Sequence, residues 1–216
     1  YGADQQPKSW EPPSNLRQAL KQLMSLRDGL LRQQAVLNGQ AESFGQQDVE
    51  PLVGTLIAEQ RGQIARQLAR IDKRMEALAQ QEWAIQLEAL LGIPGIGEKT
   101  AIHLLMITDG FTRFDSGRKL ASYVGLCPRV WESGSSVKGR GSITKMGCPQ
   151  MRKLLYMCSW AAKTCNPGCR QMYNRLKKKG KPEKVIKVAI AHKLLRQAFA
   201  VGKKGEPFSE KKAMAA

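Results

Sequence analysis

The sequence predicts a mainly α-helical chain. It reads as a helical coiled-coil or hairpin region followed by a helical domain that contains a helix-hairpin-helix motif and a Ser/Gly-rich loop. Three observations carry this. Leucines at Leu16, Leu20, Leu23, Leu30 and Leu37 recur at helical spacing. Ile57, Ile64, Ile71, Leu78 and Ile85 form an unbroken heptad column. No long stretch alternates apolar and polar residues as a half-buried strand would.

Residues 1–13 read as an irregular lead-in, because Pro7, Pro12 and Pro13 block a helix. Ser14 is a candidate N-cap for a first helix ending near Asn38-Gly39. Residues 39–48 read as a polar turn or loop. The second helix carries the heptad column, with Leu68 and Met75 as a second apolar column. Such a column packs equally well against the first helix of the same chain or against another copy, and a dimeric bundle could hold both. Residues 14–90 are therefore expected to be coiled-coil helices serving as linker and dimerisation region. Beyond them, helices are expected at 117–124, 149–163, 168–179 and 182–201. The glycine- and serine-rich residues 125–147 separate the first two of these as an exposed loop. Residues 91–202 then form a second domain, and 203–216 a frayed basic tail.

Charge divides the chain. Residues 1–90 hold 10 basic and 11 acidic side chains, whereas residues 91–216 hold 25 and 7, so the whole excess of the formal +17 lies in the second part. Clustered cations gain by displacing the counterions of a polyanion, so nucleic acid is the expected partner. No apolar run is long enough for a membrane-spanning helix, and no secretory leader is visible. Five cysteines without a C-x-x-C pair argue against a disulfide framework or an ordinary zinc site and fit a reducing compartment. Cys165 and Cys169 lack further ligands at metal spacing, and His103 and His192 read as packing or surface residues, so no metal site is expected in this chain.

Two segments carry candidate chemistry. Ile93-Pro94-Gly95-Ile96-Gly97-Glu98-Lys99-Thr100-Ala101 has the pattern of a helix-hairpin-helix turn. Gly95 and Gly97 would allow a sharp turn and close backbone approach to a ligand, and Lys99 would add charge beside the helix N-terminus. Such contacts hold a DNA backbone without reading sequence. The same pattern also suits an ordinary helix connection. In residues 131–147, Ser133, Ser135 and Ser136 stand in a glycine-rich loop beside Lys138, Arg140 and Lys145. A serine attacking a phosphodiester needs a mobile hydroxyl and cations on the phosphoryl oxygens. A phosphate-binding loop without chemistry would share this composition. Arg152 and Lys153 extend the basic surface.

From about residue 90 to 201 the chain resembles the C-terminal transposase domain of the insertion-sequence one-ten family, related to the Piv-type DNA invertases. The matching residues are Ile93-Pro94-Gly95-Ile96-Gly97, Phe114, Leu120 to Pro128, Ser133-Gly134, Lys138-Gly139-Arg140, Ile143 to Gly147, and Arg152 to Tyr156. The resemblance implies a recombinase whose N-terminal RuvC-like domain binds Mg2+ through four acidic residues, and whose C-terminal domain supplies a serine nucleophile. It assigns that role to Ser133, with Ser135 and Ser136 as competitors on chemistry. It further implies DNA and a structured guide RNA as partners, a homo-oligomer, and a cytoplasmic, nucleoid-associated bacterial protein. The RuvC-like half has no counterpart in these residues, and the chain begins at Tyr1 without an initiator methionine. The expectation is a fragment, inactive or nearly so alone. The alternatives are a non-catalytic helix-hairpin-helix DNA-binding module and a structural dimeriser.

Overall fold

The computed structural model describes residues 14–45, 50–129, 132–133, 137–138 and 142–210. Among them are seven helices: α1 (Asn15–Phe44), α2 (Pro51–Leu91), α3 (Glu98–Thr108), α4 (Gly117–Val124), α5 (Pro149–Cys165), α6 (Pro167–Lys178) and α7 (Glu183–Lys204). The chain is mainly α, as its periodicity predicts. The expected lead-in and the end of the basic tail lie outside the described residues. Contacts divide the chain into two compact units, residues 1–78 and 79–216.

In the first unit, Ser14 caps α1 by accepting a hydrogen bond from the Arg17 amide at 3.3 Å. The helix does not stop at Asn38-Gly39 but runs to Phe44. Gly39 is exposed with open space around it, so it costs only about 1 kcal/mol of helix propensity. The good helix formers Gln40, Ala41 and Glu42 carry the helix on. Arg27 Nε donates to Asp72 Oδ1 at 2.6 Å. The break between α1 and α2 lies about midway between these residues, so the helices fold back on one another. Leu20, Met24 and Leu30 on α1 are buried, as are Ile64, Ile71, Met75 and Leu78 on α2. An intrachain hairpin thus uses much of the heptad face.

The last member of that column departs from it, with Ile85 66% exposed. Trp83 has φ −138° and ψ 43°, which breaks the helix internally and changes its phase. Beyond the break Leu87 and Leu90 turn inward, and the Trp83 ring is itself buried. It lies against Gly110, where a Cβ would come within 2.6 Å of the indole nitrogen.

The core of the second unit is the mutual packing of α5, α6 and α7, with α4 laid against α7 and α3 against α5. Met151, Leu155, Ile186, Ile190, Leu194 and Leu195 are among its buried side chains. The helix expected at 182–201 continues to Lys204. Lys203 and Lys204, expected in the frayed tail, thus belong to the helix, and Gly202 before them is buried with the Phe111 ring filling the space where a side chain would be. Lys203 donates to the Phe111 carbonyl at 3.0 Å. The segment expected as a plain exposed loop contains two antiparallel pairs. An outer pair joins β1 (Pro128–Arg129) to β4 (Ser142–Ile143), and it encloses an inner pair of β2 (Glu132–Ser133) and β3 (Val137–Lys138).

Candidate nucleic-acid interface

The base of this nested hairpin is anchored where α4 ends and α5 begins. Gly125 caps α4 in the left-handed conformation, with φ +78°, and Gly147 has φ +102°. A Cβ on Gly125 would overlap the Met146 carbonyl, and one on Gly147 would overlap the Tyr123 carbonyl. Only glycine allows the two arms to close this tightly. The Lys145 amide donates to the Gly125 carbonyl at 3.2 Å, and the Thr144 amide to that of Cys127 at 3.0 Å. Arg152, in the first turn of α5, donates to the carbonyls of Val124 at 2.8 Å and Met146 at 3.4 Å. Cys148 Sγ lies 3.8 Å from Nε2 of the buried His103, which links α3 to the start of α5.

Ser133 ends β2 and pairs with Val137, while Glu132 pairs with Lys138 across the strands. Ser135, Ser136 and Arg140 lie outside the described residues. Lys145 and Lys153 are exposed, and Lys145 has φ +57°. Arg152 has an internal task that its charge alone did not reveal, since its guanidinium holds the loop's base.

The turn between α2 and α3 has a different neighbourhood. Ile93, Ile96 and Ala101 are buried, as a packed helix connection requires. Gly95 has φ +98°, and a Cβ there would lie 2.7 Å from the Ala162 Cβ. Its missing side chain therefore makes room for α5. Gly97, which caps α3, has open space beside it, and Lys99 is exposed. The turn thus sits by Ala162 while the serine loop rises beside Pro149. At 1.5 Å per residue these positions on α5 are about 20 Å apart, the length of about six base pairs of duplex. The structure brings Lys145, Arg152 and Lys153 together with the loop and leaves Gly95, Gly97 and Lys99 at the other end of the helix.

One organising residue was missed in the sequence. Asn166 is fully buried between α5 and α6. Its Oδ1 accepts from the Cys169 amide at 3.2 Å and so caps α6. Its Nδ2 donates to the Pro94 carbonyl at 3.3 Å and to Gln197 Oε1 at 3.1 Å. The Asn-Pro-Gly pattern could have been read as a capped helix start, but the partners at 94 and 197 come only from tertiary packing.

The remaining titratable candidates are structural. Burial pushes the Cys169 thiol up to about 12. Burial, and then the charge of Arg196, holds His192 below its ordinary value. Among the described residues no three His, Cys, Asp or Glu side chains gather as a metal site would require, so these residues do not fit a magnesium centre. No helix among them is long and apolar enough to cross a membrane.

Residues 87–174, from the end of α2 into α6, match the family model described as transposase IS116/IS110/IS902. The chain belongs to this transposase family. Its relatives include the pilin gene-inverting protein of Moraxella lacunata, 30% identical over 98% of this chain and 65% of that protein. The transposase for insertion sequence element IS1328 of Yersinia enterocolitica is 26% identical over 92% of this chain and 67% of its own length. An insertion element IS110 protein of 43.6 kDa from Streptomyces coelicolor is 29% identical over 66% of this chain and 36% of its own length. The chain thus spans just under two thirds of the pilin gene-inverting protein. The match covers both the α2–α3 turn and the serine loop, so family membership applies to the two ends of α5 together.

Proposed function

We propose that this chain is the serine-bearing C-terminal part of a DNA transposase or site-specific recombinase, with Ser133 as the nucleophile. The observation that carries this reading is the β2–β3 pairing: Ser133 stands at the end of a strand, beside the short connection 134–136, on an arm anchored by Gly125, Gly147 and Arg152. Its Oγ would form a bond to phosphorus while one sugar oxygen of the DNA leaves. The hydroxyl proton passes to a base, and the departing oxygen takes up a proton. Lys138, Arg140 and Lys145 are the cations of this loop that would bear charge on the phosphoryl oxygens.

An unassisted serine is a weak nucleophile at neutral pH. The described residues offer no carboxylate cluster, so the acidic, Mg2+-binding partner domain implied by the resemblance would act from outside this chain. A composite site between subunits follows, and with it a homo-oligomer. A structured guide RNA that selects the DNA belongs to the same reading.

The test is a covalent adduct. The protein joined to its acidic domain, given its nucleic acids and magnesium, should yield a protein–DNA species that survives denaturant. Ser133→Ala should abolish it and leave DNA binding nearly intact, whereas Ser135→Ala and Ser136→Ala should reduce the yield much less. An adduct that persists in Ser133→Ala but disappears in Ser135→Ala moves the nucleophile two residues along. If no serine change matters, phosphoserine chemistry is wrong and the chain is better described as a DNA-binding module.

A further inference from the structure

A second concentration of charge lies away from the serine loop, where α5, α6 and α7 meet. Trp160 on α5 is 48% exposed although it belongs to a helix packed on two others. One face of its ring is taken: Lys187 Nζ lies 3.2 Å from the ring centroid, and the Lys187 side chain is only 6% exposed. Lys163 lies 5.4 Å from the same ring and 5.2 Å from that of Tyr173, and Lys177 lies 5.5 Å from the Tyr173 ring.

One carboxylate ties this group together. Glu183, at the start of α7, accepts from the Tyr173 hydroxyl at 3.1 Å and pairs with Lys163 and Lys187, each at 3.6 Å. Two ammonium groups thus share one carboxylate, and a third, that of Lys177, lies over the Tyr173 ring bound to it. Exposed Arg175 and Lys178 at the end of α6, Lys179 and Lys181 in the connection and Lys184 at the start of α7 add charge in sequence, and Met157, 59% exposed, lies three residues before Trp160 on α5.

The buried ammonium decides what the outer face of the indole accepts. A cation beneath an aromatic ring draws electron density toward itself. A ring polarised in this way favours an electron-rich planar partner on its exposed surface. A nucleobase is such a partner, and the surrounding lysines suit its phosphates.

We propose that Trp160 is a stacking platform for an unpaired base of a nucleic-acid strand, with Lys163 and Lys177 on the adjoining phosphates. In a duplex both faces of a base are covered by its neighbours, so the platform selects unpaired nucleotides of DNA or RNA. Lys187 and Glu183 are positioning residues that keep the ring and Lys163 in place. The inference rests on the reading that the chain engages nucleic acid, but it concerns a surface that the serine chemistry does not use.

The experiment compares labelled oligothymidylate, oligouridylate and a duplex of matched length, bound to this chain and its variants at several salt concentrations. Trp160→Ala should weaken single-strand binding by about 5- to 150-fold, the range for losing one base–aromatic stack, and leave duplex binding unchanged. Trp160→Phe should retain most of the affinity. Lys163→Ala and Lys177→Ala should each lower the single-strand salt slope by about 0.7. Loss confined to oligothymidylate or to oligouridylate assigns the unpaired strand to DNA or to RNA, and loss on both assigns the platform to either. Independently of any alanine variant's folding, single strands should quench tryptophan emission in the unaltered chain and much less in Trp160→Phe. Equal losses on single strand and duplex, no loss at all, or unchanged quenching in Trp160→Phe would overturn the proposal. A chain that binds duplex but no single strand rejects the platform alone, whereas one that binds neither rejects the nucleic-acid reading itself.

Discussion

Asn166 illustrates how much one side chain can organise. It caps α6, holds the carbonyl of Pro94 in the α2–α3 turn, and meets Gln197 on α7. Replacing it by alanine removes a cap worth about 1 kcal/mol and leaves buried polar partners unmatched, at about 1–3 kcal/mol more. Asn166→Ala should therefore lower unfolding free energy by about 2–4 kcal/mol in a denaturant titration. Asn166→Asp preserves the capping acceptor but buries a carboxylate whose other oxygen faces the Pro94 carbonyl and Gln197 Oε1, so at neutral pH it should be at least as destabilising as alanine. Equal stability of all three proteins would show that the buried contacts contribute nothing net.

At the scale of elements, the decisive feature is the join between the nested hairpin and α5. Gly125 and Gly147 let the arms close, and Arg152 stitches them to the end of α4. Gly147→Ala would force a Cβ into the Tyr123 carbonyl at φ +102°. Such backbone strain and displacement should cost on the order of 2–4 kcal/mol. The local readout is amide hydrogen exchange at Thr144 and Lys145, whose bonds to Cys127 and Gly125 close the base. These amides should lose protection well before the α5–α7 core does. Unchanged protection would mean that the base is held some other way.

The whole chain offers two further tests. Its excess charge lies in residues 91–216, so duplex binding should be steeply salt-dependent. Each lost phosphate contact should reduce the log–log slope by about 0.9. Lys99, Lys145 and Lys153 are the informative substitutions, because they are exposed; replacing Arg152 would also loosen the loop. A slope that survives all three changes would move the duplex surface elsewhere. For self-association, the structure redirects attention from Ile64 and Ile71, which are buried, to Leu26, Val36, Leu52 and Leu56, which are 48–61% exposed. Ile64→Asp and Ile71→Asp should unfold the first unit, since each buries a charge. Leu52→Glu with Leu56→Glu should instead dissociate a dimer in sedimentation while helicity is kept. A monomer before any substitution would rule out an interchain coil for this chain.

Local pattern alone determined a good deal. Apolar spacing predicts the helical class, Ser14 marks the start of α1, and Gly117 to Val124 is bounded as expected because its Ser116 and Gly125 caps are local signals. Tertiary structure decided the rest. The heptad column reads as continuous through Ile85, yet the break at Trp83, whose indole packs on Gly110, takes Ile85 out of it. Gly95 reads as a place for a ligand's close approach until Ala162 occupies the space beside it. Arg152 reads as one more phosphate contact until two carbonyls claim its guanidinium. Periodicity and capping depend on neighbours a few residues away and so are written into the sequence. Which residue fills the space beside a glycine, or which carbonyl meets an arginine, depends on partners far along the chain that only folding brings together.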